Sequence, residues 1–313
     1  MKKFMFLKII LIMSTFVYSA FYYVPEFGDI LGVGGCGAVS TDSQSIFYNP
    51  AGLAGVSKNP EAFFSYNKHL VTEGVDINIY HLGFAYPVRF GIITKKKVQN
   101  KYKKYLLPIK FTFGIGISGL DVDNGLYKEN VYILSFATKM WQLLTGVNLK
   151  ILGLSYGEDE YTKIDPVFEK TYSKYSYTAD IGMIYELRKI GFGLSLMNII
   201  PADVVLSKEK SNKTETVKLA TSFAVKYKIF RTVEVLTEIK LKDKLEDIAV
   251  GLKQNLLNNN LKLAAGVNTT QASFSFGYKF VLQNFIVEPV YTISYPYYMS
   301  TYGTHNVVVK IKW

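Results

Sequence analysis

Cysteine is nearly missing from these 313 residues: Cys36 is the single thiol. One thiol cannot close an internal disulfide, which excludes a stapled secreted scaffold. Charge is scarce too, at 19% Asp, Glu, Lys and Arg against about 25% in ordinary soluble domains. With 9 Pro and 24 Gly, collagen-like and low-complexity disordered chains are also excluded. The three His (His69, His81, His305) form no His-x-x-x-His pair, so a zinc signature is lacking and no metal or cofactor is expected. After residue 20, no apolar run reaches the ~18 residues of a membrane-spanning helix. Aromatics are plentiful instead, with 24 Tyr and 21 Phe in a chain of net charge +11. Such a charge suits nucleic acid, a membrane surface or anionic lipid.

The amino terminus decides among these. Lys2, Lys3 and Lys8 flank the apolar run Ile9-Ile10-Leu11-Ile12-Met13, and the small residues Ser19 and Ala20 follow. Residues 1–19 read as a secretory signal peptide, cut after Ser19. The run is shorter than the ~20 residues needed to span a bilayer. Its loss removes three Lys and leaves a net charge of +8. An exported chain without an Arg-rich reading element is not expected to bind nucleic acid. Val33-Gly34-Gly35-Cys36 lies too far past the apolar run to be a lipid-attachment site, so Cys36 is read as a small buried residue.

Beyond the first sixty residues the chain alternates. Val217, Leu219, Thr221, Phe223, Val225 and Tyr227 oppose Lys218, Ala220, Ser222, Ala224, Lys226 and Lys228. The same period recurs in Val233 to Lys242, in Phe274, Phe276, Tyr278 and Phe280, and in Val307, Val309, Ile311 and Trp313. Successive strand residues point to opposite faces, so each segment carries one apolar face and one small or charged face. The segments run roughly 9–14 residues, long for soluble sheets and suited to crossing a bilayer. Small and charged residues on the second face suit a filled or wet lumen, and a barrel leaves no open edge in lipid. Fourteen strands are expected: 60–70, 75–87, 109–120, 131–140, 143–156, 175–187, 190–199, 217–228, 231–242, 247–256, 260–269, 271–281, 284–294 and 303–313.

Connections after even-numbered strands are short, as periplasmic turns are, and several of the others are long, as external loops are. The four long ones are 121–130, 157–174, 200–216 and 295–302. The acidic loop groups Asp121, Asp123 and Asn124, and Glu158, Asp159, Glu160 and Asp165, are read as solvated, because Gly125 comes one residue early for a calcium loop. One even-numbered connection breaks the rule. Residues 89–107 read as a long basic loop holding Lys95, Lys96, Lys97, Lys101, Lys103 and Lys104. That loop is either simply solvated or a docking patch for anionic headgroups or an acidic partner.

Residues 20–59 hold a glycine-rich run followed by Ser40-Thr41-Asp42 and Asn49-Pro50-Ala51-Gly52-Leu53. Gly32, Gly34 and Gly37 match a dinucleotide G-x-G-x-x-G only in form, because no βαβ unit surrounds them. Asp42 or Thr41 can cap a short helix through Ser45 and Phe47, and Pro50 should stop it. The glycines allow tight backbone paths, and Asn49 can satisfy buried backbone groups. This stretch resembles the FadL superfamily of outer-membrane barrels, nearest its PorV/PorQ-like branch. Members open with G-x-x-x-x-G-x-G-G-A and continue with an acidic run ending in N-P-A-G-L. Gly35, Ala38, Asp42 and Asn49 to Leu53 fit that pattern, while Cys36 replaces a small Ala and Thr41 replaces the first acidic residue.

The expected fold is all-β: a transmembrane antiparallel β-barrel of about 14 strands over 60–313, with residues 20–59 as a short helical plug in the lumen. Gly32, Gly34, Gly35, Gly37, Asp42, Phe47, Asn49, Pro50, Ala51 and Gly52 are its plug or ligand-contacting residues. Trp313 would be the signal read by the outer-membrane insertion machinery. The resemblance implies a non-enzymatic barrel set in outer-membrane lipid that binds or shuttles secreted or surface proteins. The alternatives are a channel for fatty-acid-like hydrophobic molecules and a structural or adhesive barrel.

Overall fold

A computed structural model describes residues 21, 26–56, 59–69, 71, 76–98, 101–158, 160–164, 172–204, 206, 216–298 and 301–313. The expected leader, Asp159 and Asp165 lie outside them. The alternation produces long antiparallel strands: β1 Glu61–His69, β2 Ile77–Val98, β3 Lys101–Val122, β4 Tyr127–Met140, β5 Leu143–Tyr156, β6 Ser173–Glu186 and β7 Ile190–Met197. They continue as β8 Ala220–Lys228, β9 Val233–Lys242, β10 Lys244–Leu256, β11 Leu261–Val267, β12 Gln271–Tyr278, β13 Ile286–Pro296 and β14 Thr304–Lys312. Phe280–Val281 prolongs β12 along the same neighbour, β13. Each strand pairs with the next in the chain, and β1 pairs with β14 from Glu61↔Lys312 to Lys68↔His305. Fourteen strands therefore close into a ring with no open edge, the arrangement a bilayer demands.

The two faces behave as the pattern requires. Large apolar side chains point out: Phe223 is 46% exposed, Phe276 48% and Leu149 55%, beside Phe64, Leu82, Ile115 and Val307. A soluble protein does not display such a continuous apolar belt. The opposite positions are buried, including Ala224, Glu238, Ala249, Ser275, Asn306, Val308 and Lys310. No helix of the described residues is long and apolar enough to cross a membrane.

Three local expectations are corrected. Residues 89–107 are not a loop: β2 and β3 continue as a two-stranded ribbon, in register through Lys95↔Lys104, Lys96↔Lys103 and Val98↔Lys101. Strand β8 starts at Ala220 rather than 217, because Val217 is buried and pairs with Ala202 in a separate two-residue hairpin. The connection after β3 is also short, because the strands reach Val122 and Tyr127 and one 3-10 turn, Asp123–Gly125, joins them. Asp123 accepts a hydrogen bond from the Asp76 backbone (2.8 Å), which ties two neighbouring connections together.

Candidate functional site

The segment 26–56 lies inside the ring, against the inward faces of most strands. It begins with a one-turn helix, α1 (Gly28–Gly32), and then turns back through Gly34 (φ +71°) and Gly35 (φ +94°). These left-handed conformations favour glycine. A Cβ on Gly34 would also stand 2.7 Å from the Val267 carbonyl oxygen. Asp42 then caps a 3-10 turn, Ser43–Phe47, accepting from the Gln44 backbone at 3.0 Å. Pro50 ends that turn as expected, and it also starts a second one, Pro50–Gly55, which sequence reasoning missed. Asn49 caps it, its Oδ1 accepting from the Ala51 backbone at 3.1 Å.

Asn49 also reaches outward. Its Nδ2 donates to the Ala38 carbonyl (2.6 Å), to Leu194 on β7 (3.3 Å) and to Met183 on β6 (3.4 Å). The wall returns such bonds around the ring. Asn306 accepts from Gly28 (2.7 Å), Glu238 from Ala38 (2.9 Å) and Glu61 from Ser43 (3.2 Å). Asn148 donates to the Ile46 carbonyl (2.9 Å), Ser195 to Tyr48 (2.7 Å) and Thr292 to Gly28 (3.0 Å). Buried backbone groups left unpaired are costly, and here wall side chains supply many of the partners.

Charge adds a second set of ties. Asp29 Oδ2 lies 2.8 Å from Lys310, 3.2 Å from Lys253 and 3.8 Å from Lys262, and Asp42 lies 3.1 Å from Lys310. Burial pushes the Asp29 carboxyl up, but the three Lys outweigh this and hold it well below the usual carboxylate range. The same balance of burial against Lys310 lowers Asp42. Glu26 pairs with Lys240. Cys36 is buried beside this group, and burial, with the Glu238 charge, pushes its thiol up and leaves it unreactive.

The apolar part is a ring cluster. Phe27 stacks on Phe63 (5.4 Å) and His81 (3.9 Å) and meets Phe47 edge-on (5.6 Å). Ile46, Leu53 and Ala51 pack with Leu144 and Ile184 of the wall. The structure thus brings Gly32, Gly34, Gly35, Gly37, Asp42, Phe47, Asn49, Pro50, Ala51 and Gly52 into one body. Sequence reasoning missed Glu26, Phe27, Asp29 and the wall glycines 114, 116, 146, 182 and 193, which face the segment. Of the expected small wall positions, Gly251, Ala264, Gly266 and Ser275 face it, whereas Gly277 lies against Val290.

Beside the segment a cavity remains. Phe21, Phe47 and Leu152 are among its apolar walls, and Glu129 and the buried pair Lys150–Asp180 (2.7 Å) are polar groups in it. No three His, Cys, Asp or Glu among the described residues could hold a metal. The three His do not converge: His305 bonds Tyr291 (2.6 Å), His69 meets Thr304 and His81 stacks inside. One catalytic-looking string, Gly153-Leu154-Ser155-Tyr156-Gly157, sets Ser155 in the β5 ladder opposite Lys128 and Ser173, not on a strand-to-helix elbow. At the other end of the chain Trp313 leaves β14, donates its N–H to Pro60 (3.4 Å) and stacks on Phe84 (5.9 Å). The Lys95–Lys104 set lies far from the lumen, on the projecting ribbon.

The family model described as type IX secretion system membrane protein PorP/SprF matches residues 45–311. No curated protein matches. A TodX monoaromatic hydrocarbon channel lacking S2 and S3 is similar in fold, with a TM-score of 0.59 and 10% identity over 92% of this chain and 98% of that one. The ΔS2 variant of the same channel gives a TM-score of 0.54 at 10% identity and the same coverage. At such identity the likeness concerns fold alone.

Proposed function

Because the chain belongs to the PorP/SprF family of type IX secretion system membrane proteins, we propose that it works there as a plugged docking barrel. It is a multi-pass outer-membrane β-barrel of the FadL-like kind, in a family of secretion proteins rather than enzymes. In this reading residues 28–56 close the lumen, and the barrel holds secreted or surface proteins at the membrane rather than passing solutes. The observation that carries it is the lumenal segment, bonded to many strands of the wall and anchored by Asp29 among three Lys. Segments meant to move aside are drawn from the weakly held part of a structure, and this one is strongly held. Most connections at the end of the ring where β14 finishes are short turns, which supports a periplasmic placement of that end.

The test pairs conductance with secretion. The purified barrel in planar bilayers should give no steady current, and deleting the gene should leave type IX cargo in the periplasm. An open, solute-conducting barrel with normal secretion in the deletion strain would overturn the reading. A second reading, a carrier of hydrophobic small molecules, draws on the cavity beside Phe21, Phe47 and Leu152. Organic extraction of the purified barrel would support it by releasing a stoichiometric amphiphile.

A further inference from the structure

The ribbon is left unused by that reading. Strand β1 stays beside β2 only as far as Glu61↔Ala85, and β4 beside β3 only as far as Lys110↔Lys139. Beyond those points β2 and β3 pair with each other alone, through Val98↔Lys101. Each strand there presents one unpaired backbone edge among the described residues. The thirteen steps from Ala85 to Val98 span about 40 Å at ~3.3 Å each. On the tilt of barrel strands this carries the Val98–Lys101 pair about 30 Å past the rim.

From Phe90 to Ile109 the ribbon holds six Lys and no acidic residue, more than half of the chain's net +11. The register sets Lys95 directly opposite Lys104 and Lys96 opposite Lys103, and like charges facing across a ladder repel. The register also sets Lys97 opposite Tyr102 and Val98 opposite Lys101. No counter-charge comes from the ribbon itself.

We propose that this ribbon docks an acidic, extended segment of another periplasmic protein, which adds to a free edge as a further strand. The rim is marked by Phe84 stacked on Trp313. The Lys95–Lys104 pair lies about 25 Å beyond it along the barrel axis by the same rise and tilt. Headgroups extend only about 5–8 Å past the hydrocarbon, and charges are screened over about 8 Å, so these ribbon positions stand clear of the bilayer. A second copy of the ribbon would bring lysine to lysine, which is how natural edges block self-pairing. Because Lys95-Lys96-Lys97 and Lys103-Lys104 occupy consecutive positions, the complementary strand carries acidic residues at consecutive rather than alternate positions. The proposal deepens the secretion-system reading by giving the barrel a surface for a partner.

The test uses the full-length barrel in zwitterionic nanodiscs and a short synthetic peptide with a run of consecutive Glu flanked by Val and Thr. A control of equal charge carries Pro at alternate positions, which removes edge donors. The acidic peptide should bind and slow amide exchange along one ribbon edge, and the Pro control should not. Lys95→Gln, Lys96→Gln, Lys103→Gln and Lys104→Gln together should weaken binding at least tenfold without changing heat-modifiable mobility. Replacing residues 90–107 with a two-residue turn should abolish binding in a barrel that still inserts. Equal binding of the Pro control, stronger capture by anionic phospholipid nanodiscs than by the peptide, or no protection of either edge would each overturn the proposal. None of these outcomes measures secretion or conductance, so failure here leaves the plugged-barrel reading to its own experiment.

Discussion

Asp29 holds together a charge network that no stretch of sequence displays. Its carboxylate meets Lys310 across 281 positions of chain and Lys253 across 224. Asp42 and Asn49 were legible because a cap acts on a backbone N–H two residues away; Asp29 was not, because its partners exist only once the barrel closes. The depressed Asp29 pKa fixes the sign of its pH effect. A lowered folded pKa adds stability that is complete above the unfolded value, about 3.9, and is lost as pH falls through the folded value. Attachment of the segment should therefore hold from neutrality to about pH 4 and weaken only below that. Asp29→Asn should loosen it at neutral pH by about 3 kcal/mol, because the buried Lys310 loses the carboxylate nearest to it and a buried charge loses a partner. Protease access to residues 28–56 across pH measures both effects. Identical protection in the two proteins at every pH would show that the network does not hold the segment.

At the scale of strands, the two faces answer to different solvents. Phe276→Lys puts a cation against lipid and should cost about 2–4 kcal/mol near the mid-membrane. Ser222 and Ser275 both read as inward small residues, but the structure separates them. Ser222 is half-buried, whereas a Cβ on Gly32 would lie 2.6 Å from the Ser275 Cβ. Ser222→Lys should therefore be mild. Ser275→Lys should displace α1 while the barrel still inserts. Urea unfolding from lipid vesicles, run beside protease access, distinguishes the three; equal costs at Phe276 and Ser222 would contradict the assigned faces. Alternation made these strands legible because side-chain direction is local. It failed on the ribbon, where Lys95, Lys96 and Lys97 run together with no period. There the strands inherit their register from the barrel below. Alternation also carried β8 too far, because Val217 keeps the period while pairing elsewhere.

For the molecule as a whole, the question is whether wall and segment fold as one unit or two. The ring is closed by its own backbone ladder, including β1 with β14 and β12 with β13, and needs nothing from the lumen to satisfy its strands. The fit between the two bodies depends instead on missing side chains. A Cβ on Gly251 would stand 2.5 Å from the Val33 carbonyl oxygen, and Cβ atoms on Gly193, Gly182 and Gly146 would strike Ala38, Asn49 and Pro50. Those last three were illegible as contacts because glycine in a strand reads equally well as a bulge or a weak point. A bulky residue on either side of this boundary should have the same consequence. Gly193→Leu enlarges the wall, and Gly35→Leu enlarges the segment at a backbone φ of +94° that leucine resists. Each should cost the packed segment about 1–3 kcal/mol by over-packing and spare the ladder. Both variants should then insert, keep heat-modifiable mobility, expose residues 28–56 to protease and pass current that the parent blocks. Loss of insertion in either would mean that the barrel cannot form without its filling, and a closed, protected lumen in both would mean that residues 28–56 are not what closes it.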